Sequence, residues 1–532
     1  MLPTPPPLTS QEYQELVESS FRSSTEHAPK TARYERKMGD TELSYFLPSR
    51  QSGVNDMYLH LGFRAPERLV QRSRVRIVWA ILRLRHPLMG AKVEMNNHDD
   101  VRFVYEAPFS ADDSLVDADA NLEYTSETKD ELIDRYLNGG RTLSNDRLSY
   151  LIVSQPAHDT LPTPPLVNPD ERQLELLICA MHFLGDGMAL HQFANDFFGL
   201  LGSGQSDAEL QEVLEREWEQ RWNSDNHGLA ERGILPPCLE DRFPSTAKRS
   251  THLRDAAAEV DFQLAQASLV GGQTFPRRKD PMRHTVVPTI SFPEARTKAM
   301  LKKCKERGVS ISAALFAVCN LAWARVGGGR AELPAMMYSA LNMRPYLAKA
   351  EADAIWDSYW FLAIGYFNVI LPNFVPAGGD EKTFWHRARQ AKLQSARAAK
   401  SKLVVSRARR MARERGERAR VWAKEDDEKE KGTWVLPSPP PSARDPVPSS
   451  ALIGLSLLGN LDGIYAHRSF PDIKLHTLTT GSRQRQGAIL LFGYTFQRRL
   501  WVSLGYDQNG FADGIIEKLW TAIEGCVEEF LG

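Results

Sequence analysis

The residues of this chain best placed to do chemistry are His182, Asp186 and Gly187, in the run His182-Phe183-Leu184-Gly185-Asp186-Gly187. An imidazole near its unperturbed pKa of about 6.5 takes up a proton and returns it within one turnover, so His182 is a candidate general base. Asp186, four residues on, has two open readings: it orients the imidazole as in a catalytic triad, or it points away and anchors the loop. Anchoring requires a buried cation as partner, because an unpaired buried carboxylate is costly. The candidate is Arg344, in Asn342-Met343-Arg344-Pro345 at the end of an expected strand. Gly185 and Gly187 are expected to let the backbone turn sharply and to keep the space beside His182 open. A metal site of His182, Asp186 and His191 is disfavoured, since the chain has no HExxH pattern and His191 sits beside the apolar face of a helix.

These side chains need elements to hold them. The run 174–180 is largely apolar and reads as one buried strand ending at His182. After the turn, Leu190, Phe193, Ala194, Phe197, Phe198 and Leu201 fall on one face of a helix. Upstream, the pattern predicts a helix over 66–88 stopped by His86-Pro87-Leu88, strands at 91–95, 101–106 and 148–154, and an acidic helix around 126–137. Residues 1–12 and 156–170 are proline-rich and read as loose chain and surface loop, and 207–222 as a charged helix.

In the second half, strands are expected near 285–292, 332–342, 364–371 and 451–458, with a hairpin of 488–496 and 500–505. Helices are expected over 293–307, over 311–325 with Ser310 as N-cap, and over 511–530. The stretch 382–431 is charged and helical. Its part from Arg407 has few large apolar residues and is expected to be exposed or partly disordered. Strands and helices alternate in both halves, which gives an α/β chain (α+β, two-layer) with a sheet and helices in each half. The expected units are 1–222, a connector 223–277, and 278–532 with a charged and Pro/Ser insertion at about 407–450.

At 532 residues the chain suits two domains, and its 42% apolar and 25% charged residues are those of a globular protein. A net charge of −1 provides no global field for nucleic acid or an anionic membrane, so a polyanionic ligand must be met by a local basic patch. Five cysteines, scattered, odd in number and without CxxC spacing, read as buried thiols in a reducing compartment. The first residues lack a basic start and apolar core, and no 18-residue uncharged apolar run exists, so neither signal peptide nor membrane span is expected. The expectation is a cytoplasmic monomer with no nucleic-acid partner, no obligate protein partner and no metal.

The strand–His182-Phe183-Leu184-Gly185-Asp186-Gly187–helix unit resembles the HxxxDG signature of the chloramphenicol acetyltransferase-like superfamily. That group includes BAHD acyltransferases, peptide-synthetase condensation domains and fungal trichothecene O-acetyltransferases. Other pieces resemble the family in the same order: His86-Pro87-Leu88 the end of its first long helix, and Asn342-Met343-Arg344-Pro345 its Asn/Asp-x-Arg element. Gly365 to Pro372 is similar to a condensation-type strand, and Ser456-Leu457-Leu458-Gly459-Asn460 to the late strand that crosses between halves. The set looks most like the trichothecene 15-O-acetyltransferase-like branch, although the plant-type DFGWG motif is absent and the turn at 459–463 is a loose stand-in.

The resemblance implies two chloramphenicol-acetyltransferase-like subdomains in a V, with His182 midway along a central tunnel. It implies an acyl-CoA-dependent O-acyltransferase that moves acetyl from acetyl-CoA, a co-substrate and not a bound cofactor, to a hydroxyl of a secondary metabolite such as a terpenoid alcohol. His182 would be the base, with Asp186 a strut on Arg344 supported by Asn342, and Gly187 the motif turn. Oxyanion candidates are Asn368, Ser456 and Asn460; candidates for the CoA phosphates are Lys298, Lys302, Lys303 and the helix N-terminus at Ser310. Two other readings stay open: a standalone condensation-type domain that uses carrier-bound acyl groups or acylates an amine, and a non-catalytic binding protein on the same scaffold.

Overall fold

The strand that leads to His182, Glu171–Ala180, is buried along nearly its whole length because it is central in a sheet. It pairs antiparallel with Met57–Pro66 on one side and Ser149–Ser154 on the other. Leu122–Thr125 adds a parallel strand beyond the second, and Lys474–Ser482, from late in the chain, pairs antiparallel with Met57–Pro66 to close the far edge. In the computed structural model the described residues are 32–156, 170–222, 234–244, 252–278, 282–327, 330–348, 357–435 and 449–532.

A second sheet runs in the order Ile364–Leu371, Ala335–Asn342, Ile453–Asn460, Ile489–Phe496, Arg499–Asp507, with the short strands Thr285–Val286 and Thr289–Phe292 both on its last member. The two central pairings are parallel and the outer ones antiparallel. A small three-stranded sheet joins Arg33–Lys37, Asp100–Glu106 and Lys92–Asn97.

Each large sheet owns a core. Helices Arg72–Arg85 and Gly187–Leu201 bury Trp79, Phe193 and Phe198 with Leu59 and Phe63 of the first sheet. All six apolar positions of the second of these helices are buried, and truncating a fully buried Phe193 to Ala would cost about 3–5 kcal/mol. In the second half, Ile311–Val326, Asp380–Ala399 and Ile515–Leu531 supply Phe316, Trp323, Phe384 and Ile523 against Leu491 and Val502. Trp360, from the second half, is buried in the first core at 5.4 Å from Phe193. All five cysteines are buried and free. Among the described residues no single helix is long and apolar enough to cross a membrane.

Several elements differ from the sequence expectation. The helix expected over 66–88 is Arg72–Arg85, preceded by the strand Met57–Pro66, whose His60 and Arg64 hide its burial from a hydropathy reading. The stretch 382–431 is two helices, Asp380–Ala399 and Val404–Glu430. The second is not a solvated or disordered arm. Its Ala412, Gly416, Ala419 and Ala423 are buried, spaced four, three and four residues apart on one stripe. Small side chains there let the helix lie directly against Asp40–Ser49, where a Cβ on Gly416 would stand 2.6 Å from Asp40 Oδ1. Arg420 spans Asp40 and Asp99 at 2.9 and 3.0 Å, and Arg407 pairs with Asp261 at 2.8 Å. Asp261 lies on His252–Ala267, a helix inside the expected connector. The expected boundary at 223–277 is also crossed by Lys474–Ser482, which completes the sheet of the other half. Residues 1–12, most of the 156–170 loop and most of the 437–450 linker lie outside the described residues.

Candidate active site

His182 opens a single 3-10 turn, His182–Leu184, between the buried strand and the helix Gly187–Leu201. Its Nδ1 lies 3.1 Å from the carbonyl of Gly185. A carbonyl only accepts, so Nδ1 carries the proton and Nε2 of the neutral ring keeps a lone pair. Burial pushes the His182 pKa below its ordinary value, against the opposing effects of the Asp186 charge and the Gly185 carbonyl, so the ring is neutral at physiological pH. The Tyr45 ring covers it at 4.4 Å.

Asp186 does not touch His182. It is the N-cap of its helix, where Oδ1 accepts from the backbone N–H of Met188 and Ala189 at 3.0 and 3.2 Å. Nη1 of Arg344 reaches both carboxylate oxygens at 2.9 and 2.8 Å, and the Ala363 N–H donates to Oδ2 at 2.9 Å. Nη2 of Arg344 donates to the carbonyls of Tyr359 and Phe361, both at 3.1 Å. One carboxylate and one guanidinium thereby tie the His182 turn to two pieces of the second half, the Arg344 turn and the segment 359–363. Asn342 accepts from the Arg344 N–H at 3.0 Å and fixes the turn that presents the arginine. His191 belongs elsewhere: it is buried and bonded to the Tyr465 hydroxyl at 2.9 Å.

The two motif glycines act through space and not through backbone conformation, since neither has a positive φ. A Cβ on Gly187 would stand 3.0 Å from Leu458 Cδ2. Leu458 is the extra residue of a bulge in Ile453–Asn460, between Leu457 and Gly459, and Gly459 takes a φ of 77° there. Ser456, Leu457 and Leu458, at and just before the bulge, line one cavity together with Leu455.

That cavity, of about 680 Å³, lies between the halves with His182 in its wall. The first half contributes Tyr45, Asn55, Met57 and Gly187; the second contributes Tyr338, Asn342, Ile364 and Tyr366. Thr480, Gly481 and Ser482 from the exchanged strand continue the wall, and Arg415, Arg418, Ala419 and Trp422 enter from the helix Val404–Glu430. Asp186 is the one carboxylate among the described lining residues, against Arg344, Arg415, Arg418 and Arg485.

Of the other expected site residues, Ser456 lines the cavity with a hydroxyl that bonds no described residue. Asn368 follows Tyr366 on the same strand but lies outside the lining, and Asn460 caps the next turn by accepting from Asp462 N–H at 3.2 Å. Lys298, Lys302 and Lys303 sit on the surface helix Glu294–Glu306; Lys302 faces Glu306 at 3.8 Å and Lys303 donates to the Gly532 carbonyl at 3.1 Å. Ser310 caps its helix through Ala313 N–H at 3.1 Å. None of these four lines the cavity.

The sequence reading missed a cluster beside His182. The Tyr45 and Tyr366 hydroxyls hydrogen-bond each other, Tyr338 stands 6.3 Å from the Tyr366 ring, and the Arg415 guanidinium lies 4.4 Å over Tyr366 and 5.7 Å from Tyr45. Burial pushes Tyr45 well above the usual phenol range and Tyr338 up to about 12, so both remain protonated donors. Further along, Arg418 and Arg485 both lie over Trp422, at 5.5 and 5.3 Å. The one sequence signal for this cluster was the small-residue stripe that flanks Arg415.

No family model matches the chain, and no curated protein matches it by sequence. Solved structures do. The trichothecene 15-O-acetyltransferase of Fusarium sporotrichioides superposes with a TM-score of 0.72 at 13% identity, over 95% of this chain and 96% of that one. The epimerization domain from the third module of tyrocidine synthetase B gives 0.55 at 12% identity, over 95% and 99%. Polyketide synthase associated protein 5 from Mycobacterium tuberculosis gives 0.53 at 11%, over 92% and 97%. These likenesses show the fold: two subdomains of the chloramphenicol acetyltransferase-like and condensation-domain type.

Proposed function

We propose that this chain, with its chloramphenicol acetyltransferase-like fold, transfers an acyl group, most simply acetyl, from acyl-CoA to a hydroxyl of a small-molecule acceptor. The observation that carries the reading is the His182–Gly185 hydrogen bond: it commits Nδ1 as donor and leaves the basic Nε2 on a neutral ring in the wall of a cavity between the halves. Nε2 takes the proton of the acceptor hydroxyl as its oxygen attacks the thioester carbonyl. The tetrahedral intermediate collapses, the C–S bond breaks, and the imidazolium returns the proton to the departing thiolate. The products are an ester and free coenzyme A. Ser456, with its unengaged hydroxyl, is the proposed donor to the oxyanion.

Asp186 holds the turn in place through Arg344 and takes no part in proton transfer. Val54, Met57, Ile364, Leu455 and Leu490 give the cavity an apolar wall suited to the body of a terpenoid-like alcohol. Arg418 and Arg485, in place of the surface lysines, are the proposed partners of the CoA phosphates. The test is to incubate the protein with acetyl-CoA and a panel of terpenoid alcohols and to follow free thiol. Acceptor-dependent thiol release that is lost in His182→Ala supports the reading; release that persists in that variant overturns it.

A further inference from the structure

Arg415 has a cation's position without a cation's partner. It lines the cavity from the helix Val404–Glu430, yet among the described residues it meets no carboxylate within 4.0 Å and donates no hydrogen bond. Its neighbour Glu414 is engaged by Arg418 at 3.3 Å. The one carboxylate in the wall, Asp186, is already neutralised by Arg344. The rings of Tyr45 and Tyr366 offset part of the desolvation of the guanidinium, but they accept no N–H hydrogen bond of ordinary strength. A half-buried cation in that state favours the arrival of an anion.

The hydroxyls around Arg415 complete a receptor. Tyr45 and Tyr366 share one hydrogen bond, which uses one of their two protons and leaves the other to donate outward. Tyr338 adds a third phenol on the same wall. A single planar guanidinium with phenolic donors beside it fits a carboxylate held by two parallel N–H bonds. A phosphate dianion would call for further cations, and Arg415 is the one cation of the described lining that lies over the Tyr45 and Tyr366 rings. Tyr45 also covers the His182 ring, so the anion would be held beside the reacting centre.

We infer that Arg415, with the hydroxyls of Tyr45, Tyr338 and Tyr366, binds a carboxylate carried by one of the two substrates and so sets which substrate is accepted. The inference rests on the acyl-transfer reading for the word substrate, but the binding site itself does not. The carboxylate belongs either to a dicarboxylic acyl group on the donor or to the acceptor.

Binding is measured by calorimetry on the full chain and on His182→Ala, which requires no turnover. One pair of probes is succinyl-CoA against acetyl-CoA; the other is cyclohexanecarboxylate against cyclohexanecarboxamide. In at least one pair the carboxylate-bearing probe should bind about 10- to 100-fold tighter. A preference in the first pair assigns the charge to the acyl group, and a preference in the second assigns it to the acceptor. Arg415→Gln should abolish the preference without lowering the melting temperature, and Arg415→Lys should restore part of it. Arg413→Gln, on the solvent side of the same helix, should leave it unchanged. No preference in either pair, or one that survives Arg415→Gln, overturns the inference. A preference without thiol release from any CoA ester removes the acyl-transfer reading and leaves the carboxylate site standing.

Discussion

His182 donates its Nδ1–H to the carbonyl of Gly185 at 3.1 Å, and Asp186, one residue further on, gives both its oxygens to Arg344 and the backbone. The histidine is thus oriented by its own turn, and the aspartate orients the turn. Removing either residue should fail in a different way. His182→Ala is expected to lower kcat by about 10²–10⁴-fold with the urea midpoint unchanged. Asp186→Ala leaves Arg344 without its carboxylate and the N–H groups of Met188, Ala189 and Ala363 without their acceptor, and is expected to cost about 3 kcal/mol of stability in urea unfolding. Equal stability losses in the two variants would contradict this division of labour.

The pH dependence follows from burial. His182 must be neutral to accept a proton, and its pKa lies below the ordinary value. The acid limb of kcat/KM should therefore lie below pH ~6.5. The positive charge of Arg415 contributes to that lowering. In Arg415→Gln the limb should shift to higher pH, read from kcat/KM profiles of the two proteins.

Two other histidines make stability depend on pH. His86 and His191 are buried, and burial holds both near a pKa of about 3. In the unfolded chain they titrate near ~6.5. Between these values the unfolded chain binds protons that the folded chain refuses, so their contribution is complete above pH ~6.5 and is lost as pH falls toward 3. Each is expected to remove up to about 1.4 kcal/mol per pH unit within that window. Urea midpoints at pH 7 and 5 measure it, and His191→Gln should flatten the slope.

The contact between Gly187 and the Leu458 bulge makes a paired prediction. Gly187→Ala places a methyl 3.0 Å from Leu458 Cδ2 and should disturb the His182 turn, lowering activity more than stability. Leu458→Ala in the same chain should recover part of the loss, with a coupling of about 0.5–3 kcal/mol. Simple additivity of the two changes would show that the bulge does not bear on the turn.

Gly416→Leu should wedge the helix Val404–Glu430 away from Asp40–Ser49, because even a Cβ at 416 meets Asp40 at 2.6 Å. The expected cost is about 1–3 kcal/mol, together with loss of activity as Arg415 leaves the cavity wall. Full activity with reduced stability would separate the helix from the site.

What was legible in the sequence had a local signature. The strand–turn–helix around His182 announces itself by a run of apolar residues and a helical face, and Arg344 by a turn motif and the need of Asp186 for a cation. Met57–Pro66 was missed because a strand buried in the middle of a sheet loses its alternation, and this one carries His60 and Arg64 besides. The helix Val404–Glu430 was misread because arginines and small residues have the hydropathy of a solvated arm, whereas Ala412, Gly416, Ala419 and Ala423 pack by closeness and not by apolar bulk. Ser310 caps its helix as its position before the helical run foretold, and Asn460 accepts from Asp462 N–H and from the Thr495 hydroxyl; neither lines the cavity. Tyr45 left no local trace, because its partners His182, Tyr366 and Arg415 are far away along the chain.

The strand Lys474–Ser482 has a consequence for how the molecule is made. Along the chain Met57–Pro66 precedes its partner Glu171–Ala180, and its other edge has no partner strand until Lys474–Ser482 has been made. Until then the first half exposes an unpaired strand edge of the kind that recruits other chains. The two halves therefore share a strand. A fragment stopping at residue 222 should collect in aggregates, and supplying the remainder in trans should restore solubility only when it carries Lys474–Ser482. In this fold the sheet of the first half is finished by a strand that follows Ile453–Asn460 of the second in the order of synthesis.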